Sequence, residues 1–270
     1  MADHHAPATG ERAQRVAKTI VITGGTRGLG FGLARALVEQ GHRVAVCGTG
    51  ADRVSTAAAA LGVLARVADV TSRDQLQSLW DAAVDRYGRV DIWINNAGVS
   101  HAREPVWRLP AEQARRVVDV NVLGVINGSS VAIGGMAAQG GGHVWNMEGL
   151  GSDGRIVRGL GVYGATKRAS TYLTDALAKE VPGGVTVGLL SPGLVVTDLL
   201  THGYSAAERE RAARMLSILA DRVETVAPWL ADKVISRARN GAHVRWLTPA
   251  KIAFRFATAP FGRRGDVFAP

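Results

Sequence analysis

Tyr163 and Lys167 stand four residues apart in "YGATK", a spacing that puts both side chains on one face of a helix. A phenol and an ammonium placed this way suit acid–base chemistry at a carbonyl. A free phenol titrates near about pH 10, and a neighbouring ammonium favours the phenolate, so the pair predicts a lowered tyrosine pKa. Just upstream, "NMEGLGSDG" offers Glu148 and Ser152. Ionised, Glu148 would repel a developing oxyanion; protonated, it could donate a hydrogen bond to it. Ser152 is flanked by glycines that let a loop turn its hydroxyl inward. The alternative for Ser152 and Asp153 is a plain Ser-Asp-Gly turn.

A second constellation lies near the start of the chain. "VITGGTRGLGFGLARAL" places Gly24, Gly28 and Gly30 between an apolar run and a helical pattern, with Thr26, Arg27 and Leu29 among them. Glycines there permit a tight turn and close approach of a pyrophosphate, which a helix N-terminus stabilises. Cofactor choice follows from charge. An acidic residue after the second strand would bond a ribose 2′-hydroxyl and repel a 2′-phosphate. Here "VAVC" is followed by Gly48, Thr49 and Gly50, with no carboxylate before Asp52, while Arg27 and Arg53 supply cations. The expected cofactor is NADPH/NADP+.

The elements that must hold these groups alternate. "TIVIT" (19–23), "RVAVC" (43–47), "LARVADV" (64–70), "VDIWINNAG" (90–98), "HVWNM" (143–147) and "VTVGLLSPG" (185–193) read as buried strands separated by helical patterns, one of them around 110–138. This predicts an α/β fold, a doubly wound parallel sheet of Rossmann type in a single domain with a helical C-terminal appendage. Ligands then bind at the carboxyl ends of the strands. We divide the chain into a disordered lead (1–17), a catalytic domain (18–200) and a helical, basic and aromatic appendage of the same domain (201–270).

The 270 residues are 47% apolar, and no stretch of about 18 uninterrupted apolar residues argues for a membrane span. The first residues lack an apolar signal core, and His4 and His5 read as a solvated pair, so no metal site is expected. The single cysteine, Cys47, sits in an apolar run and reads as a buried thiol of a reducing compartment. The net charge of +9 permits nucleic acid, an anionic cofactor or a membrane surface as partner; no aromatic–basic RNA motif accompanies it, which argues against nucleic acid. The tail carries Arg237, Arg239, Arg245, Lys251, Arg255, Arg263 and Arg264 with Trp246, Ile252, Phe254 and Phe256. Such a segment can settle peripherally on an anionic membrane; alternatively its aromatics pack on the body or on a dimer partner.

"TGGTRGLG", "DV" at 69–70, "NNAG" at 95–98, Asn121, "YGATK" and "SPGLVVT" resemble, in order and spacing, the short-chain dehydrogenase/reductases over residues 18–200. The resemblance implies hydride transfer from NADPH to an aldehyde or ketone, with Tyr163 as general acid and Lys167 holding the nicotinamide ribose. It implies that Asp69 and Val70 border the adenine and that Asn95, Ala97 and Gly98 support the central strand and line the cofactor channel. Pro192, Gly193, Val195 and Thr197 become nicotinamide-side contacts, and Asn121 holds a water linking Lys167 to solvent. A homodimer or homotetramer is implied as well. The general family carries a serine before the tyrosine that bonds the substrate carbonyl; counting back puts Gly149 or Leu150 there. Loss of one such donor costs on the order of 10²–10³ in rate. Ser152 is the expected substitute.

"NMEGLGSDG", "YGATKR", "SPGLVVTDLL" and "RWLTPAKIAFRF" are similar, more narrowly, to chlorophyll b reductases and their bacterial relatives. The glycines at 149–161 suggest a roomy mouth and a bulky, apolar carbonyl substrate. The Ala/Gly/Arg-rich chain shows no evident plastid leader, which predicts a bacterial, cytoplasmic protein. Two alternatives remain open: a tailoring ketoreductase of secondary metabolism, or an NADPH-binding protein with attenuated catalysis.

Overall fold

A computed structural model describes residues 16–201, 204 and 206–259. The strands are β1 (Thr19–Ile22), β2 (Arg43–Gly48), β3 (Leu64–Val67), β4 (Ile92–Asn95), β5 (Gly142–Met147), β6 (Val185–Ser191), β7 (Leu194–Val196), β8 (Ala220–Arg222) and β9 (Ala242–Arg245). Seven form one sheet in the order β3-β2-β1-β4-β5-β6-β9, and β7 pairs separately with β8. Every pairing is parallel. The order reverses between β1 and β4, which opens a crevice at their carboxyl ends.

Helices cover both faces: α1 (Gly28–Glu39), α2 (Ala51–Leu61), α3 (Arg73–Tyr87), α4 (Ala111–Val118), α5 (Gly124–Ala138), α6 (Gly161–Glu180), α7 (Asp198–Thr201), α8 (Ala206–Leu219), α9 (Val223–Ser236) and α10 (Pro249–Thr258). A parallel sheet sandwiched this way has two buried faces, which is why β1 and β4 read as unbroken apolar runs. Successive residues part to opposite sides. Ile20, Ile22, Ile94 and Trp145 pack with α1 and α9, whereas Val21, Trp93 and Val144 pack with α3 and α5.

Three departures from the sequence reading have physical causes. The strand expected over 64–70 stops at Val67 and is half-exposed, because it is an edge strand paired only with β2. The helix expected around 110–138 is α4 and α5 joined by a π turn, Asp119–Leu123, which carries Asn121 at 0% exposure. This rod, Ala111–Ala138, is long and apolar enough to cross a membrane, but half of its apolar window is buried in the fold. The third is an addition: the C-terminal stretch is helical, as expected of an appendage of the same domain, and it also completes the core. β9 adds a strand beside β6, and Val226, Leu230 and Val234 of α9 join the α1-side cluster. A Cβ on Gly32 would stand 2.3 Å from Val223 Cγ1, so that glycine is what lets α1 and α9 approach so closely.

Much of the aromatic and basic tail also packs on the body. Arg255 is 7% exposed and donates to both Asp221 oxygens and to the Leu219 carbonyl. Trp246 donates to Asp221 and meets Trp229 edge-on, and the Lys251 ammonium lies over the Trp246 ring. Phe254 and Phe256 stay exposed. Arg263, Arg264, and residues 1–15 of the expected disordered lead lie outside the described residues.

Candidate active site

Tyr163 and Lys167 lie in the first turns of α6, at 6% and 4% exposure. No side chain of the preceding residue caps this helix. Instead His101, from the loop after β4, accepts the Tyr163 N–H at Nε2 (3.2 Å), while its Nδ1 lies 2.7 Å from the Ala102 carbonyl. Those two bonds assign the Nδ1–H tautomer and satisfy one orphan donor of the helix start. Nothing in the sequence signals this contact, which joins residues 62 apart.

The protonation pattern differs from the expectation. Burial pushes the Tyr163 phenol up to about 12. The Lys167 ammonium is 5.9 Å from the phenol ring centroid and donates to the Met147 carbonyl at 3.2 Å. It therefore does not bring the phenol down in this arrangement. Burial lowers Lys167 to about 8, against an upward pull from Glu148. The pair is thus a protonated phenol beside an ammonium that is easily discharged.

Gly149 is the residue beneath the phenol. A Cβ built there would stand 2.4 Å from the Tyr163 hydroxyl and 3.2 Å from Lys167 Cγ and Cε. Leu150 lines the cleft and packs against the Tyr163 cluster. Ser152 does not reach the cleft. Its hydroxyl donates to the Gly149 carbonyl at 2.6 Å and accepts the Gly149 N–H at 2.9 Å, closing the loop on itself. The expected replacement donor is therefore a turn residue, the alternative that the Ser-Asp-Gly pattern allowed. Glu148 is no neutral acid either. Burial raises its carboxyl, but His243 and hydrogen bonds from Thr171 and Ser191 outweigh that and hold it below the ordinary range.

The cofactor cleft encloses about 770 Å³. Gly24, Thr26, Arg27, Gly28, Leu29 and Gly30 border it, as do Thr49, Asp69, Val70, Ala97 and Gly98. Pro192, Gly193, Val195 and Thr197 close its far wall, with Tyr163 and Lys167 at the floor. The glycine loop fits a pyrophosphate. Gly24 (φ 63°) approaches Ala97 so closely that a Cβ would meet its Cα at 2.8 Å, and a Cβ on Gly30 would meet the Gly24 carbonyl at 2.4 Å. α1 begins at Gly28 with no side-chain cap, so its first N–H groups are open to an anion. Arg53 borders the cleft beside Thr49, and Arg27 pairs with Asp198 at 3.0 Å.

Two expected contacts lie beneath the cleft instead. Asn95 is 3% exposed; it accepts from Trp93 and donates to Ser129 and Asn146. Its neighbour Asn96 faces the cleft and ties the Thr23 and Gly24 carbonyls. The Asn121 side chain is saturated by the Val99 backbone and Thr166, splinting the β4 loop to α6. Cys47 is buried, its thiol pushed up to about 11 chiefly by burial, and so is inert as a nucleophile. Ser100 and Arg103 also line the cleft, and the sequence reading missed them.

The family model for short chain dehydrogenases matches residues 18–207. The chain is 34% identical to chlorophyll(ide) b reductase NOL of Oryza sativa subsp. japonica, covering 97% of this chain and 82% of that protein. It is 35% identical to the NADPH-dependent pterin aldehyde reductase of Arabidopsis thaliana, over 70% of this chain and 79% of that one. Among solved structures it is similar to 3-ketoacyl-(acyl-carrier-protein) reductase from Brucella melitensis complexed with NADH. That likeness has a TM-score of 0.76 and 26% identity, covering 85% of this chain and 96% of the other. With the match running from before the first strand to beyond the turn that follows β6, the chain belongs to the short-chain dehydrogenase/reductase family and is related within it to the chlorophyll b reductases.

Proposed function

We propose that the protein is an NADPH-dependent carbonyl reductase acting on an aldehyde or ketone of a bulky, apolar substrate, with Tyr163 as general acid. The observation that carries this reading is the buried Tyr163–Lys167 pair at the floor of a cleft whose rim is an uncapped helix start. Bound NADPH would supply the hydride. A phenol held near 12 keeps its proton at neutral pH, the form needed to protonate a carbonyl oxygen as negative charge develops there.

NADPH is preferred on charge. Thr49 stands where a carboxylate would repel a 2′-phosphate; Arg53 borders the cleft close to it, and Arg27, paired with Asp198, borders the cleft as a second cation. The substrate class rests on a side cavity of about 260 Å³, whose apolar wall is Val157, Met215 and Leu216 with Leu150, Leu194 and Leu200 shared with the cleft, and whose rim also carries Arg103, Tyr204, Glu208 and Arg211. A tailoring ketoreductase would use the same chemistry on a different carbonyl compound. One observation favours an attenuated NADPH-binding protein: Gly149 has no hydroxyl and the Ser152 hydroxyl is turned onto the Gly149 carbonyl. Loss of NADPH absorbance with a panel of small and bulky aldehydes and ketones tests all of this. Tight NADPH binding without turnover on any of them would select the attenuated reading.

We assign the protein further to the bacterial cytoplasm, as a homodimer or homotetramer. The buried thiol of Cys47 supports a reducing compartment, and Val118, Leu123 and Ile126 leave an apolar stripe exposed on the α4–α5 rod. Among the described residues a peripheral membrane contact rests on Phe254 and Phe256, since Trp246 and Arg255 pack on the body.

A further inference from the structure

Glu148 belongs to no step described so far, yet it is one of the most constrained charges in the molecule. It follows β5 and is 6% exposed. Its Oε2 lies 2.6 Å from His243 Nε2, and its Oε1 accepts from Thr171 Oγ1 at 3.1 Å. Thr171 is one turn beyond Lys167 and also donates to its carbonyl. The Lys167 ammonium donates to Met147, the residue immediately before Glu148. Carboxylate and ammonium therefore lie against one short stretch of backbone, both shut away from water.

A buried ammonium is strongly disfavoured unless an opposite charge faces it. Tyr163, on the same helix, is neutral. Asp119 of the π turn is half-buried in the cleft wall, and Glu112, Arg115 and Arg116 of α4 are exposed. Among the described residues Lys167 makes no direct ion pair, either with these four or with Glu148; Glu148 is the acidic group tied to it through the Met147–Glu148 backbone and Thr171. From the other side β9 presents His243 and Arg245. His243 Nε2 lies 2.6 Å from the Glu148 carboxylate, and Arg245 sets Nε against that same nitrogen and Nη2 against Nδ1, each at 3.0 Å. The His243 side chain is 25% exposed, so the cluster runs from the buried ammonium to the protein surface.

We propose that Glu148, held by His243, is the counter-ion of Lys167: a positioning residue that keeps the ammonium charged beside Tyr163. The catalytic relevance of this role rests on the carbonyl-reductase reading; the electrostatic role does not. It also gives β9 a function, since the last strand of the sheet brings in the side chain that orients the carboxylate.

The test titrates Lys167 directly by NMR in the cofactor-free protein labelled with [ε-13C]lysine. The chain has only five lysines, and Lys167→Arg assigns the resonance. Lys167 is expected to titrate near 8 in the wild type. Glu148→Gln is expected to lower that midpoint by about one pH unit, the effect of removing a nearby opposite charge. His243→Leu should move it the same way by less, and His243→Gln, whose amide still donates, should stay nearer the wild type. The alkaline limb of carbonyl reduction should shift in step. An unmoved Lys167 midpoint in folded Glu148→Gln overturns the proposal. If that variant does not fold, equal midpoints in His243→Leu and His243→Gln overturn it instead. The two readings fail separately. A protein that reduces no carbonyl yet shows the shift loses the function and keeps the counter-ion; one that reduces carbonyls with an unmoved midpoint does the reverse.

Discussion

Substituting Gly149 by alanine puts the active-site geometry under a defined load. The built Cβ falls 2.4 Å from the Tyr163 hydroxyl, about 1 Å short of ordinary van der Waals contact. Gly149 does not need a left-handed backbone, so the substitution meets no φ penalty and its cost falls on the side chains above it. Lys167 Cγ and Cε, each at 3.2 Å, need give only a few tenths of an ångström, whereas the phenol must swing. A displacement of about 1 Å at a reacting group costs on the order of 10² in rate, or about 2.7 kcal/mol. Gly149→Ala should therefore lower kcat about a hundredfold while shifting the NADPH dissociation constant far less. Overpacking should also cost about 1–3 kcal/mol of stability, read as a lower melting temperature. Gly149→Ser carries the same Cβ but adds a hydroxyl. If that hydroxyl reaches the substrate oxygen, the serine variant should outperform the alanine variant, by up to the 10²–10³ or so that one oxyanion donor supplies. The assay is steady-state NADPH oxidation with small and bulky aldehydes, alongside cofactor titration. Wild-type kcat in Gly149→Ala would refute the claim that the phenol must occupy the space above this glycine.

Tyr163→Phe should abolish turnover and leave NADPH binding nearly intact, because it removes the proton donor and little else; carbonyl reduction at the native rate would end the general-acid assignment. Arg27→Ala and Arg53→Ala should each weaken NADPH more than NADH, the larger effect being at Arg53, since Arg27 is already paired with Asp198. Equal losses for the two cofactors in a binding titration would remove the 2′-phosphate argument. Ser152→Ala should cost about 1 kcal/mol of stability through the lost turn and change kcat little; a hundredfold loss of kcat with an unchanged melt would restore it as a donor. His143 is buried against Trp145, and burial lowers it to about 3. Between roughly pH 6.5 and 3 the unfolded chain takes up this proton and the folded one does not, so stability falls with pH by about 1.4 kcal/mol per unit. Denaturant melts of His143→Asn should show a shallower acid slope than the wild type, and parallel slopes would contradict the assignment.

The order of elements, the glycine loop and the Tyr163–Lys167 face are legible in the residue order alone. Each is a local or periodic property: apolar runs report strands buried on both faces, and a spacing of four reports a shared helix face. Thr49 is read from its place after the second strand, and Asp69, Val70 and the Pro192–Gly193 turn from the family resemblance; all of them border the cleft. Where polar groups point, and what they touch far along the chain, follows from packing. Asn95 and Asn96 are adjacent and chemically identical, yet the alternation of a strand end buries one in the core and aims the other at the glycine loop. Ser152 has the flexible neighbours of a substrate-binding hydroxyl, but the nearest acceptor it meets on closing the loop is its own Gly149 carbonyl. His101 caps the catalytic helix from the loop after β4, and His243 reaches Glu148 only because β9 is laid beside β6. That strand is four residues long and alternates buried with exposed positions, so no apolar run announces it. Periodicity encodes which face a residue occupies; the partner waiting on that face is set by chain segments tens of residues away, and only packing brings them together.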